Sequence, residues 1–133
     1  MLNASTLLVW TLSFIAQDPY SLPGSFAWGE RSVTVPRPGG GSETAKLYYP
    51  ADSQGAGTPL SSTGGRFPVI TFAHGFAATT AFYDSFGRHL ATRGYLVIAT
   101  DSQSISFNPN RLQYIEDVKA TINYMVDQDT TSG

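Results

Sequence analysis

The chain has 133 residues, about the length of one domain, which excludes a multidomain machine. Charged residues make up 14%, apolar residues 41% and aromatics 13%, against about 25% charged in average soluble proteins; such a chain buries a core, which argues against wholesale disorder. A formal net charge of −2 leaves no basic footprint for nucleic acid or an anionic membrane surface. The absence of Cys excludes disulfides, a thiol nucleophile and a Cys-based zinc site. Ser and Thr together outnumber the charged residues, which leans toward an extracytoplasmic protein.

Residues 1–24 read as an N-terminal extension or a signal peptide, and residues 25–133 as the folded part. Leu7–Ala16 is ten mostly apolar residues, far short of the ~20 that span a bilayer, so no transmembrane segment is expected. It has the length of a secretory h-region, although no Lys or Arg precedes it and Phe14 is bulky for a cleavage site after Ala16. The expected location is accordingly secreted or periplasmic if it is a signal, and otherwise cytoplasmic. Asn3-Ala4-Ser5 has the form of a glycosylation sequon, read here as a chance match.

Pro19–Gly29 is irregular in pattern. Ser32–Val35 alternates as a half-buried strand does, ending at Pro36 and Pro38. After the Gly39–Ser42 turn, Ala45–Tyr49 alternates again up to Pro50, so the two predict an antiparallel hairpin. Residues 51–65, rich in Ser, Gly, Pro and Thr, predict a surface loop. Phe67–Ala73 and Tyr95–Ala99 are nearly continuous apolar runs, the pattern of parallel strands buried on both faces. Between them Phe82, Phe86 and Leu90 fall at helical spacing, and Gly94 sits where a helix-ending glycine belongs, completing a β-α-β unit. Asn108-Pro109 suits a helix start, and Leu112, Ile115, Val118, Ile122 and Met125 or Val126 predict one apolar helix face running to about Asp127.

The chemically informative segment is Ala73–Thr79, at the carboxyl end of the first buried strand, where open parallel sheets place their ligands. Gly75 permits a sharp turn, leaving the Phe76 N–H free to meet a developing negative charge. The tripeptide His74-Gly75-Phe76 alone also fits an ordinary strand-to-helix turn. Glu116-Asp117 and Asp127/Asp129 are expected to face solvent, as such pairs usually do, rather than to act as paired catalytic carboxylates. His74 and His89, without Cys or a His-Glu-x-x-His pattern, predict no metal site, and no cofactor is implied.

The combination of His-Gly-Phe at 74–76, His-Leu-Ala-x-x-Gly-Tyr at 89–95 and Val-Ile-Ala-x-Asp at 97–101 resembles the N-terminal half of an α/β-hydrolase. More narrowly it is similar to the branch of cutinase-like polyester hydrolases, chlorophyllases and dienelactone-hydrolase-like esterases, from about Ser25 to Asp129. The resemblance implies an α/β fold, incomplete here: a leading antiparallel hairpin, a β-α-β unit and a further helix. It also implies that Phe76 supplies the first oxyanion N–H, and that Phe76, Ala77 and Thr79 line the cleft for an ester, small or polymeric.

The family's Gly-x-Ser-x-Gly elbow, followed by an acid and a His, is absent. In the family it lies one helix and one strand beyond Asp101, so the triad is expected past Gly133 and the chain alone is expected to be inactive. Asp101 precedes the nucleophile position, contrary to the family order, and reads as a loop-capping carboxylate; His74 reads as a backbone-positioning residue. Two alternatives stand beside this reading. One is a non-catalytic, binding or vestigial product of a truncated gene that takes a partner or an apolar ligand on exposed sheet surface, or self-associates through the edge left open by the missing nucleophile strand; the other is a hydrolase fold with an Asp nucleophile.

Overall fold

The computed structural model describes residues 18–131; the apolar stretch Leu7–Ala16, with its reading as a signal, and the Asn3 sequon lie outside them. Strand β1, Ala27–Pro36, pairs antiparallel along its whole length with β2, Ser42–Ala51. The turn between them takes Gly40 and Gly41 to φ of +98° and +78°, a conformation costly for any residue with a Cβ. β1 is longer than its apolar alternation suggests. Residues 27–31, expected to be largely irregular, are drawn in because β2 offers them a partner and because Glu30 has cations to meet on the sheet.

Pro50 was expected to stop the second strand and instead lies inside it. Its C=O accepts the Ser61 N–H at 2.9 Å, on the side where β2 pairs with no strand beyond Tyr48, so the missing N–H leaves no ladder bond unmade. Within the linker, Gly55–Ala56 forms a short strand, β3, parallel to β1.

Strand β4, Val69–Ala73, leads through a 3₁₀ turn at Thr80–Tyr83 into helix α1, Asp84–Thr92, and then β5, Leu96–Thr100. Strand β5 runs parallel to β4 and antiparallel to β2, giving the order β3-β1-β2-β5-β4. Helix α2, Arg111–Thr131, completes an α/β arrangement of hairpin, β-α-β unit and further helix. Its cap is Asn110 rather than the expected Asn108: Asn110 Oδ1 accepts the Gln113 N–H at 3.1 Å, satisfying one of the free donors of the first turn.

Strand alternation sends side chains to two cores. Val35, Ala45, Leu47, Tyr49, Ile98, Ala120 and Met125 pack on the α2 face, and Tyr48, Ala91 and Val97 on the α1 face. Helix α1 approaches the sheet through Gly87, where an added Cβ would lie 2.5 Å from the Tyr48 ring.

The helical spacing identified both helices but not their buried sides. On α1 and the turn before it, Phe82 and Phe86 are exposed, while Gly87, Ala91 and Thr92 are buried. On α2 the buried residues are Asp117, Ala120, Thr121 and Met125. The predicted apolar face largely meets solvent: Leu112 is 78% exposed and Ile115, Ile122 and Val126 are about half exposed. Strand β5 is buried on both faces as expected, but β4 is the sheet's edge strand and Val69 is 46% exposed.

Candidate active site

Beyond Ala73 the backbone must leave the sheet and reach the 3₁₀ turn within six residues, and the side chains along this stretch are spent on fixing its path. His74 is buried; its Nδ1 faces the Gly75 C=O at 3.0 Å and its Nε2 the Ser102 C=O at 2.9 Å. The Tyr114 hydroxyl, pushed up to about 12 by burial, donates to the His74 C=O at 2.9 Å. Both imidazole nitrogens are therefore occupied by backbone carbonyls, and His74 positions the loop from beneath. His89 lies elsewhere, on α1, with its Nε2 at 2.9 Å from the Tyr20 C=O.

Asp101 clamps the far end of the loop. Its Oδ1 accepts from the Thr79 hydroxyl at 2.9 Å, the Thr80 N–H at 3.1 Å and the Ser104 hydroxyl at 2.6 Å. Burial opposes its charge, but these hydrogen bonds outweigh burial and hold the carboxyl below its ordinary range. This is a capping carboxylate at the start of the 3₁₀ turn. Thr79, expected in the cleft, directs its hydroxyl at Asp101 instead.

Phe76 and Ala77 border an open cavity of about 200 Å³, lined chiefly by apolar surface and flanked on the other side by Gln103, Ser106, Pro109 and Tyr114. Phe76 is 68% exposed, and its ring meets that of the equally open Phe107 edge-on, with centroids 6.1 Å apart. Among the described residues the Phe76 N–H makes no hydrogen bond. Among the described residues three non-glycines have left-handed backbones, Ala77, Gln103 and Ile105, at φ of +50°, +58° and +51°. All three belong to the two loops around this cavity, and the loops are tied by the Ile105 N–H to the Ala78 C=O at 3.0 Å. For a β-branched residue such as Ile105 this conformation is strongly disfavoured, and strain of this kind concentrates at functional sites.

The sequence pointed to Phe76 and Ala77 but not to Gln103, Ser106 or Tyr114. These come from a loop with no motif and from a helix position outside the apolar spacing, and only tertiary packing brings them in. Among the described residues no group of three or more His, Asp or Glu is arranged to hold a metal ion, and no helix is long and apolar enough to cross a membrane.

Comparison with solved structures finds a hypothetical protein from Pseudomonas aeruginosa, 22% identical, with a TM-score of 0.55, covering 84% of this chain and 35% of the other. A ferulic acid esterase from Streptomyces cinnamoneus also matches, at 17% identity and a TM-score of 0.49, over 62% of this chain and 35% of that one. The chain thus spans about a third of the length of either structure. No curated protein sequence matches. The family model for chlorophyllase matches residues 45–131, from the middle of β2 to the end of α2. That match takes in the loop at 74–79, the Asp101 clamp and the helix that supplies Tyr114, and on it the chain belongs to the chlorophyllase family.

Proposed function

We propose that the chain is the N-terminal part of a serine carboxylic-ester hydrolase, supplying the first oxyanion donor and lacking the triad, and that it is inactive alone. The observation that carries this reading is the Phe76 N–H, which borders an apolar cavity at the carboxyl end of β4 and has no acceptor among the described residues. In the complete enzyme a serine alkoxide attacks the ester carbonyl, and the carbonyl oxygen takes up negative charge between the Phe76 N–H and the N–H following the nucleophile. One such donor is worth about 3 kcal/mol of transition-state stabilisation. Collapse of the intermediate expels the alcohol, and water then releases the acid by the same path in reverse. Phe76 and Ala77 line the acyl side of the cleft. Neither His74 nor Asp101 enters the proton transfers, because both are committed to the loop's own backbone and hydroxyls.

The surfaces around β4 support the placement of the missing part. Val69 on the edge strand, Phe82 and Phe86 on one side of the sheet and Leu112, Ile115, Ile122 and Val126 on α2 at the other side are each apolar and exposed. A further strand beside β4, carrying the nucleophile elbow, with a helix after it, would cover such surfaces. The same edge favours a second reading, a non-catalytic product that pairs with its own copies along β4. A nucleophile of Asp rather than Ser would leave the Phe76 loop unchanged, so that residue must be read directly.

The test is turnover of a short-chain nitrophenyl ester by the 133-residue chain. The expected rate is that of the buffer blank; steady turnover removes the claim that the triad lies outside this chain. Size-exclusion chromatography separates the second reading: a concentration-dependent dimer supports pairing through the β4 edge, and a monomer at all concentrations counts against it.

A further inference from the structure

The two faces of the sheet carry charge clusters that differ in their balance. On the α1 face, Glu30 and Asp84 meet Lys46 and Arg88: Arg88 Nε lies 2.8 Å from Glu30, and Lys46 Nζ 2.8 Å from Asp84 and 3.4 Å from Glu30. Each carboxylate there has a cation. On the α2 face Glu43 and Asp117 share, among the described residues, a single cation, Arg37, which is already committed. Its guanidinium grips Asp117 with both Nε and Nη2, at 2.7 and 2.9 Å, and donates from Nη1 to the Ser42 C=O at 3.0 Å. Asp117, fully buried, also accepts from the Ser102 hydroxyl and from Gln113.

Glu43 is left with little. It is 6% exposed; Oε2 accepts the Thr100 hydroxyl and Oε1 is buried with no hydrogen-bond partner among the described residues. A buried carboxylate in this setting is expensive as an anion. Burial pushes its pKa up from 4.5 to about 7; the Thr100 hydrogen bond opposes the rise, the Asp117 charge adds to it and Arg37 opposes it. The charged and titratable groups facing Glu43 are Arg37 from the β1–β2 turn and Asp117 and Tyr114 from α2; β5 contributes the Thr100 hydroxyl.

From Glu43 a path of hydrogen bonds, carried across the backbone of Ser102, reaches the Phe76 loop. The Thr100 hydroxyl that donates to Glu43 accepts the Ser102 N–H at 3.1 Å, and the Ser102 C=O meets His74 Nε2 at 2.9 Å. His74 in turn is two residues from the Phe76 N–H. We infer that Glu43 is a proton-dependent positioning residue, whose charge state passes through Thr100 and Ser102 to His74 and sets the placement of the Phe76 loop. This rests on the reading of that loop as an oxyanion donor. With Glu43 neutral, Arg37 serves Asp117 alone and Ser102 keeps its three contacts. Once Glu43 ionises, two buried carboxylates compete for one guanidinium and the pull on the Thr100 hydroxyl increases.

The sign for stability follows. The pKa of Glu43 is higher in the folded state, so its contribution is complete below pH 4.5 and is lost as pH rises through about 7. The test is amide NMR on the full chain across this range, with thermal unfolding beside it. In the wild type the Ser102 and Phe76 amides are expected to move together with a midpoint near 7, and the melting temperature to fall over the same interval. In Glu43→Gln, which mimics the neutral acid, that midpoint and that fall disappear. In Thr100→Val the stability change persists while Phe76 ceases to follow it. A Phe76 transition unchanged in Glu43→Gln, or one still tracking the stability change in Thr100→Val, overturns the proposal. Because the readouts are resonances and melting temperatures rather than turnover, this test fails or succeeds independently of the hydrolase reading.

Discussion

The hairpin side of the sheet and the β4 side are built from similar residues and finished to different degrees. Around β1 and β2 nearly every polar group has a partner: the Glu30–Arg88–Asp84–Lys46 cluster is closed, the Tyr48 hydroxyl donates to Asp84 at 2.6 Å and the Arg88 guanidinium lies over the Trp28 ring at 4.4 Å. Around β4 the edge is unpaired, Phe82 and Phe86 stand exposed and α2 turns its apolar stripe outward. Large exposed apolar surface marks a place where another element, partner or ligand is received. On the reading proposed above, the contrast is that the hairpin end is closed by its own side chains while the β4 end is a seam that a further part of the protein covers.

If that is right, substitutions on the finished side should unfold the chain and substitutions on the open side should not. The largest effect is expected from Arg37→Ala. It strips the bidentate partner from the fully buried Asp117, and an uncompensated buried charge costs about 3–5 kcal/mol, read as a shift in the urea midpoint. Next is Gly87→Ala, where the new methyl would overlap the Tyr48 ring and overpacking costs about 1–3 kcal/mol. Smallest is Ile115→Lys with Ile122→Lys on α2, expected to change stability by no more than about 0.5 kcal/mol, as surface substitutions do, while lowering self-association in sedimentation. A large loss of stability from the α2 pair would mean that this stripe is packed within the chain and would erase the contrast.

Local patterns made the order of elements legible, but not their environment. The runs at Phe67–Ala73 and Tyr95–Ala99 did form adjacent parallel strands, because a β-α-β unit is encoded within some thirty residues by apolar runs and a helix-ending Gly94. Burial on both faces was read correctly for β5 but not for β4: β5 sits between two strands and β4 has only one, a difference set by neighbours distant in sequence. The same holds for α2, whose spacing of Leu112, Ile115 and Ile122 is that of a covered helix although the side facing the sheet carries Asp117 and Thr121. In the candidate site, His-Gly-Phe marked the loop and Asp101 its cap. Tyr114 and Gln103 left no trace in the pattern, since they act through the fold of the second loop rather than through a motif. The network from Glu43 to His74 was likewise invisible, because it joins a hairpin strand, β5 and two loops through single hydroxyls.

The most direct measurement is to read and express the coding frame beyond Gly133 and assay the product on a nitrophenyl ester. The account predicts a strand followed by Gly-x-Ser-x-Gly within a few tens of codons, with turnover that appears in the longer protein and is abolished by replacing that serine with alanine. A stop codon immediately after Gly133, or a continuation without a nucleophile elbow, would contradict it.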